Sequence, residues 1–146
     1  SNAKGSFFGL DIHHQNQHLL RAVLEGINMN LYAVYTAISE VIGADAQEIL
    51  VTGGFTQSDT WLQMIADIFG MDLVVTEVSE NACLGAAILG LYAFGEIKDF
   101  SELNLMIPME RRIKSNESDY QFYQRHFEKY QQLSEYYLKM FDVLDE

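Results

Sequence analysis

The tightest constraint on this chain is the run Glu48-Ile49-Leu50-Val51-Thr52-Gly53-Gly54-Phe55-Thr56-Gln57-Ser58-Asp59. Its short apolar, β-branched opening reads as a buried strand. Two glycines stop that strand, and Ser58 or Asp59 then supplies an N-cap for a helix. Gly53 and Gly54 can take positive φ and carry no Cβ, so a flat ligand can lie against bare backbone there. The helix start beyond them offers unpaired N–H groups and a partial positive charge. The arrangement suits a nucleotide, although a Gly-Gly pair after a strand is also the mark of an ordinary turn.

The elements on either side extend this unit. The helix predicted over residues 59–69 has Trp61, Ile65 and Ile68 or Phe69 as its inner stripe. Trp61 is a core anchor on this reading, Gln63 and Asp67 face outward or toward a neighbouring domain, and Gly70 ends the helix. Leu73-Val74-Val75-Thr76 reads as a second buried strand, parallel to the first and either adjacent or one apart. Upstream, Leu20, Val23, Leu24, Ile27, Leu31, Val34, Tyr35, Ile38 and Val41 recur every three or four residues. That spacing predicts a long helix over 17–42 with one buried face, closed by Gly43 at C′. Arg21 and Glu25 lie one turn apart and brace its surface. Gly26 costs about 1 kcal/mol relative to alanine, which close approach of another backbone would offset.

Downstream, Ser79 is expected to cap a helix over 80–94 whose Ala82, Gly85, Ala86 and Gly90 form a close-packing face. Cys83 sits there as a small buried hydrophobe. Residues 98–118 read as a loop with one short helical turn at 100–103 and an exposed Glu110-Arg111-Arg112. A final helix over 119–144 carries Tyr120, Tyr123, Phe127, Tyr130, Tyr137, Phe141 and Leu144 as a stripe. That stripe can form a coiled-coil seam, but packing along the first helix is preferred. The predicted class is α/β, helix-rich, with a small mixed or parallel sheet.

Composition excludes several functions. Nine basic against 21 acidic residues give a formal net charge of −12, which disfavours nonspecific binding to nucleic acid or anionic lipid. Phosphate binding by a local nest of N–H groups remains compatible with it. One cysteine, Cys83, rules out an internal disulfide framework, and His13, His14 and His18 have no Cys pair to complete a zinc site. His13 and His14 read as an exposed loop before the first helix. No run reaches the ~18 apolar residues of a membrane span. A reduced, cytoplasmic setting is expected. Ser1-Asn2-Ala3 resembles the scar of tag removal, leaving residues 4–146 as one domain.

The run Gly53-Gly54-Phe55-Thr56-Gln57-Ser58-Asp59-Thr60-Trp61-Leu62-Gln63-Met64-Ile65-Ala66-Asp67-Ile68-Phe69-Gly70 resembles the adenosine-side motif of the FGGY carbohydrate kinases. These belong to the actin, hexokinase and Hsp70-like ATPase superfamily, with its ribonuclease H-like fold. The resemblance continues through His18-Leu19-Leu20-Arg21-Ala22-Val23-Leu24-Glu25-Gly26 and through Ala82-Cys83-Leu84-Gly85-Ala86-Ala87. Phe8-Gly9-Leu10 and residues 21–32 look most like the gluconate kinase branch. The match spans roughly residues 7–95.

This resemblance implies a C-terminal nucleotide-binding domain of a sugar kinase, truncated at its start. In the family, ATP lies between two domains and phosphorylates a sugar hydroxyl. An upstream aspartate acts as base, and upstream loops hold the phosphates with Mg²⁺. None of these maps onto this chain, so the chain alone is expected to be inactive, with ATP and a small sugar as partners of the complete kinase. Neither a P-loop nor a Rossmann glycine motif is present. By position, Gly53 and Gly54 provide the surface under the adenine, and Ser58 reaches the adenine or ribose edge or simply caps the helix. Phe55 replaces the family's small residue and either stacks on the base or blocks it.

Two other classes fit the same residues. One is a noncatalytic sensor or regulator of the same superfamily, which would keep the Gly53-Gly54 loop. The other is a helical interaction module that uses the tyrosine stripe. A domain lacking its leading strands is also expected to expose apolar surface and a strand edge, favouring a homo-oligomer.

Overall fold

The structure, a computed structural model, describes residues 5–76, 81–99 and 109–143. Helix α1 (Asn16–Ile42) leads to strand β1 (Ile49–Val51), a 3₁₀ turn (Gly54–Gln57) and helix α2 (Asp59–Phe69). Strand β2 (Leu73–Thr76), helix α3 (Asn81–Ala93), strand β3 (Met109–Ile113) and helix α4 (Glu117–Val143) follow. The expected cap at Ser79, the helical turn at 100–103 and Leu144 lie outside the described residues.

The sheet is mixed, in the order β1-β2-β3. β1 and β2 are adjacent and parallel, with Ile49 opposite Leu73 and Val51 opposite Val75. β3 runs antiparallel to β2, placing Val74 opposite Arg112 and Val75 opposite Arg111, with a bulge between Val75 and Thr76. Residues Met109–Ile113 thus form a strand where the sequence alone predicts a loop. Met-Glu-Arg-Arg-Ile carries no apolar alternation because it is an edge strand, where charge is tolerated and discourages further pairing. Arg112 instead reaches Glu48 at 2.9 Å, tying β3 across to the approach of β1.

α2 is the hub. Leu62, Ile65 and Ala66 pack on Val51, Leu73 and Val75 of the sheet. Its other side turns Met64 and Ile68 toward Met29 and Tyr32 of α1 and Tyr123 and Phe127 of α4. Tyr32 sits edge-on to Phe127, centroids 4.7 Å apart. The tyrosine stripe of α4 therefore packs inside the domain, as preferred above. Asp67, expected to face outward, is buried. It accepts from the Asn116 N–H at 2.8 Å and from Gln63 Nε2 at 2.9 Å, which compensates the charge and fixes the chain entering α4.

α1 departs most from expectation. Its buried residues are Asn28, Met29 and Tyr32, whereas Leu20, Ile27, Leu31, Val34, Ile38 and Val41 are exposed. Periodicity finds an apolar stripe but not what covers it. Among the described residues nothing lies within 4 Å of a Cβ built on Gly26, Gly85 or Gly90, so the close approaches expected there are not found. Cys83 is exposed rather than buried. The Arg21–Glu25 brace does form, at 2.8 Å. Tyr123 joins it, donating to Glu25 Oε1 at 3.0 Å and accepting from Arg21 Nη2 at 2.9 Å. The Glu25 hydrogen bond raises the Arg21 pKa. Burial, then the Glu25 charge, pushes the Tyr123 hydroxyl up to about 12.

Two consequences can be measured. Gly70 ends α2 at φ 64°, and a Cβ there would lie 2.6 Å from the Tyr120 ring. Gly43 ends α1 at φ 71° with open space around it. Gly43→Ala should cost about 1–2 kcal/mol, from left-handed strain alone. Gly70→Ala should cost more, because Tyr120 must also move; equal losses in urea titrations would refute the contact. Tyr123 has a raised folded pKa, so its contribution is complete below the unfolded value of about 10 and is lost as pH rises toward about 12. Wild type should lose more stability across that window than Tyr123→Phe, and identical pH slopes would contradict this.

Candidate functional site

At the carboxyl end of β1 the backbone turns at Gly53, whose φ of 108° strongly favours glycine. The turn closes on itself. The Thr56 N–H donates to Gly53 O at 3.1 Å and the Thr56 hydroxyl to the same oxygen at 2.7 Å. The Ser58 N–H then donates to Phe55 O at 3.0 Å. Among the described residues, nothing lies within 4 Å of where a Cβ on Gly54 would point. Both glycines are exposed, so the turn presents a strip of backbone that is open at Gly54 and edged at Gly53 by the Phe55 ring, 4.0 Å from where a Cβ would stand.

Ser58 is the N-cap, its Oγ accepting from the Trp61 N–H at 3.3 Å. Asp59, the other candidate cap, is drawn away to Arg111 Nη1 at 2.6 Å. Phe55 leans back on Trp61, ring centroids 5.7 Å apart, and packs against the sheet-side core. It leaves the space beyond Gly54 clear. Trp61 is the expected anchor, and its Nε1–H donates to Oδ1 of the fully buried Asn28 at 3.0 Å. Strand, turn, helix start and α1 thus support one another through Phe55, Trp61 and Asn28.

Sequence reasoning missed Asn28 and Arg111. Arg111, expected to be exposed in a loop, also donates from Nη2 to Thr56 O at 2.9 Å. No local signal could reveal a partner so distant in the chain; only the β2–β3 register does. Among the described residues, no group of three or more His, Cys, Asp or Glu could hold a metal ion. No helix there is long and apolar enough to cross a membrane. A cavity of about 830 Å³ lies away from the turn, between residues 5–8, α1 and α4. The turn is an open wall instead.

This helix-rich chain with its small three-stranded sheet shares the actin- and hexokinase-like fold of the sugar kinases it superposes on. A profile described as the C-terminal domain of the FGGY family of carbohydrate kinases matches residues 1–94. A gluconokinase of Bacillus licheniformis is 46% identical over 121 residues, covering 83% of this chain and 24% of that protein. A crystal structure of gluconate kinase from Lactobacillus acidophilus superposes with a TM-score of 0.78 at 34% identity, covering 90% of this chain and 27% of the other. A ligand-bound xylulose kinase from the same organism gives 0.84 at 32% identity, covering 98% and 29%. The chain therefore belongs to the FGGY family of carbohydrate kinases, within its C-terminal domain. It spans about a quarter of the length of these relatives.

Asn28→Ala would leave the Trp61 indole N–H without its acceptor. We expect a loss of about 1–3 kcal/mol, measured by urea titration. Trp61 is the single tryptophan, so its fluorescence reports the transition without ambiguity. An unchanged midpoint and slope would show that water replaces the amide at no cost.

Proposed function

We propose that the chain is the C-terminal, ATP-binding part of a sugar kinase that transfers the γ-phosphate of ATP to a hydroxyl of gluconate or a related sugar. The observation that carries this reading is the exposed backbone strip at Gly53-Gly54, open at Gly54 and set between the end of β1 and the start of α2. In a family of carbohydrate kinases, such a strip fits the flat face of an adenine. The 46% identity to a gluconokinase supports gluconate as the sugar.

In this reading Gly53 and Gly54 pass beneath the base, and the retracted Phe55 lines the strip's edge. The Ser58 oxygen accepts the cap hydrogen bond, yet its hydroxyl hydrogen stays available to donate to the adenine or ribose, since one hydroxyl can do both. Phosphoryl transfer needs nucleophile, metal and γ-phosphate aligned together. Among the described residues no group of three or more His, Cys, Asp or Glu could hold a metal ion, and in this reading Mg²⁺ takes much of its coordination from the ATP phosphates. This chain holds and orients the nucleotide.

Gly54→Val is a clean probe, because the space around Gly54 is open and its φ is not positive. In the complete kinase it should weaken ATP binding by about tenfold or more, roughly 1.4 kcal/mol or above, with little change in thermal stability. Calorimetry showing normal ATP affinity would refute the assignment. The 146-residue chain given MgATP and gluconate should release no ADP, and turnover surviving repurification would refute the division of labour.

The exposed stripe of α1, Leu20, Ile27, Leu31, Val34, Ile38 and Val41, supports self-association of the chain on its own. The charge of −12 opposes association at low salt and is screened as salt rises. Light scattering should give a mass above the monomer that grows with ionic strength. A monomer at high concentration in both low and moderate salt would refute this.

A further inference from the structure

We propose that Arg111 is a positioning residue for the nucleotide turn, which makes β3 part of the nucleotide site although it lies beyond the residues 1–94 matched by the family profile. The proposal rests on the nucleotide reading above.

The guanidinium holds two points at once. Nη2 donates to the Thr56 carbonyl at 2.9 Å and Nη1 to the Asp59 carboxylate at 2.6 Å. Thr56 lies within the 3₁₀ turn, and Asp59 is the first residue of α2. One planar group therefore sets the spacing between the glycine strip and the helix start, the two surfaces that adenine and ribose would meet. Lysine, a single point charge on a flexible stem, cannot make this fork.

The sheet explains why the group arrives there. Arg111 stands opposite Val75, beside the bulge between Val75 and Thr76, and bulges commonly re-aim side chains. β1 and β2 run parallel, so Val51 and Thr76 end on the same side of the sheet, where ligands bind in open α/β folds. Asp59 neutralises the guanidinium, so Arg111 acts through the turn and not as a free cation for phosphate. Its Nε is buried without an acceptor among the described residues.

The test uses the complete kinase as wild type, Arg111→Met, Arg111→Lys and Asp59→Asn, with amide hydrogen exchange read by mass spectrometry and ATP binding by calorimetry. In Arg111→Met, exchange at Thr56 and Ser58 should accelerate by about tenfold or more while Leu73 and Val75 stay protected. The ATP dissociation constant should rise about fivefold or more. Arg111→Lys should recover part of both effects, and Asp59→Asn should show a smaller version of each even if Arg111→Met fails to fold. A merely structural role would lower protection throughout the sheet and leave the turn no more affected than the rest. That result, or unchanged exchange and affinity in Arg111→Met, would overturn the proposal. If wild type shows no ATP response at the turn, the nucleotide reading fails; faster turn exchange in Arg111→Met would then leave only a clamp without a ligand, and the proposed role would fall with it.

Discussion

The structure depends on burying α2 from two sides. Leu62 and Ala66 face the sheet without any exposure, while Met64 and Ile68 face the α1–α4 pair. A helix buried on one side can be displaced by a slip of one neighbour. One gripped on both sides fixes its neighbours as well, because close-packed interiors transmit small displacements. The carboxyl end of β1 and the start of α2 are held in this way, and the glycine turn is the short span between them.

Polar contacts set the registry that apolar contacts leave loose. Buried Asp67 spends its carboxylate on the Asn116 N–H and the Gln63 amide, fixing where α4 begins. Tyr123 closes a bridge between α4 and α1 through Arg21 and Glu25. Asn28 does the same between α1 and α2 through Trp61. Each contact gives a polar atom a partner that a shifted packing would remove, although Asn28 Nδ2 is itself buried without a partner among the described residues. The turn inherits this order through Phe55 and Trp61.

The exposed side of α1 belongs to the same logic. Its stripe is apolar enough to demand cover, and the chain spans about a quarter of the length of its relatives.

Much of this was legible in the residues. The β1–turn–α2–β2 unit follows from an apolar run, two glycines, a capping serine and a second apolar run, all local signals with local causes. Gly43 and Gly70 likewise mark helix ends because only glycine takes positive φ without strain. The family could be read from three motifs in order. Tertiary structure alone decided which stripe of α1 is buried, since periodicity is symmetric between an apolar face that is covered and one that is not. It alone made a strand of Met109–Ile113, because an edge strand gains its hydrogen bonds from a neighbour and needs no apolar pattern of its own. And it alone brought Arg111 to Thr56 and Asp59, since a contact across that much sequence is set by strand register, which no local spacing encodes.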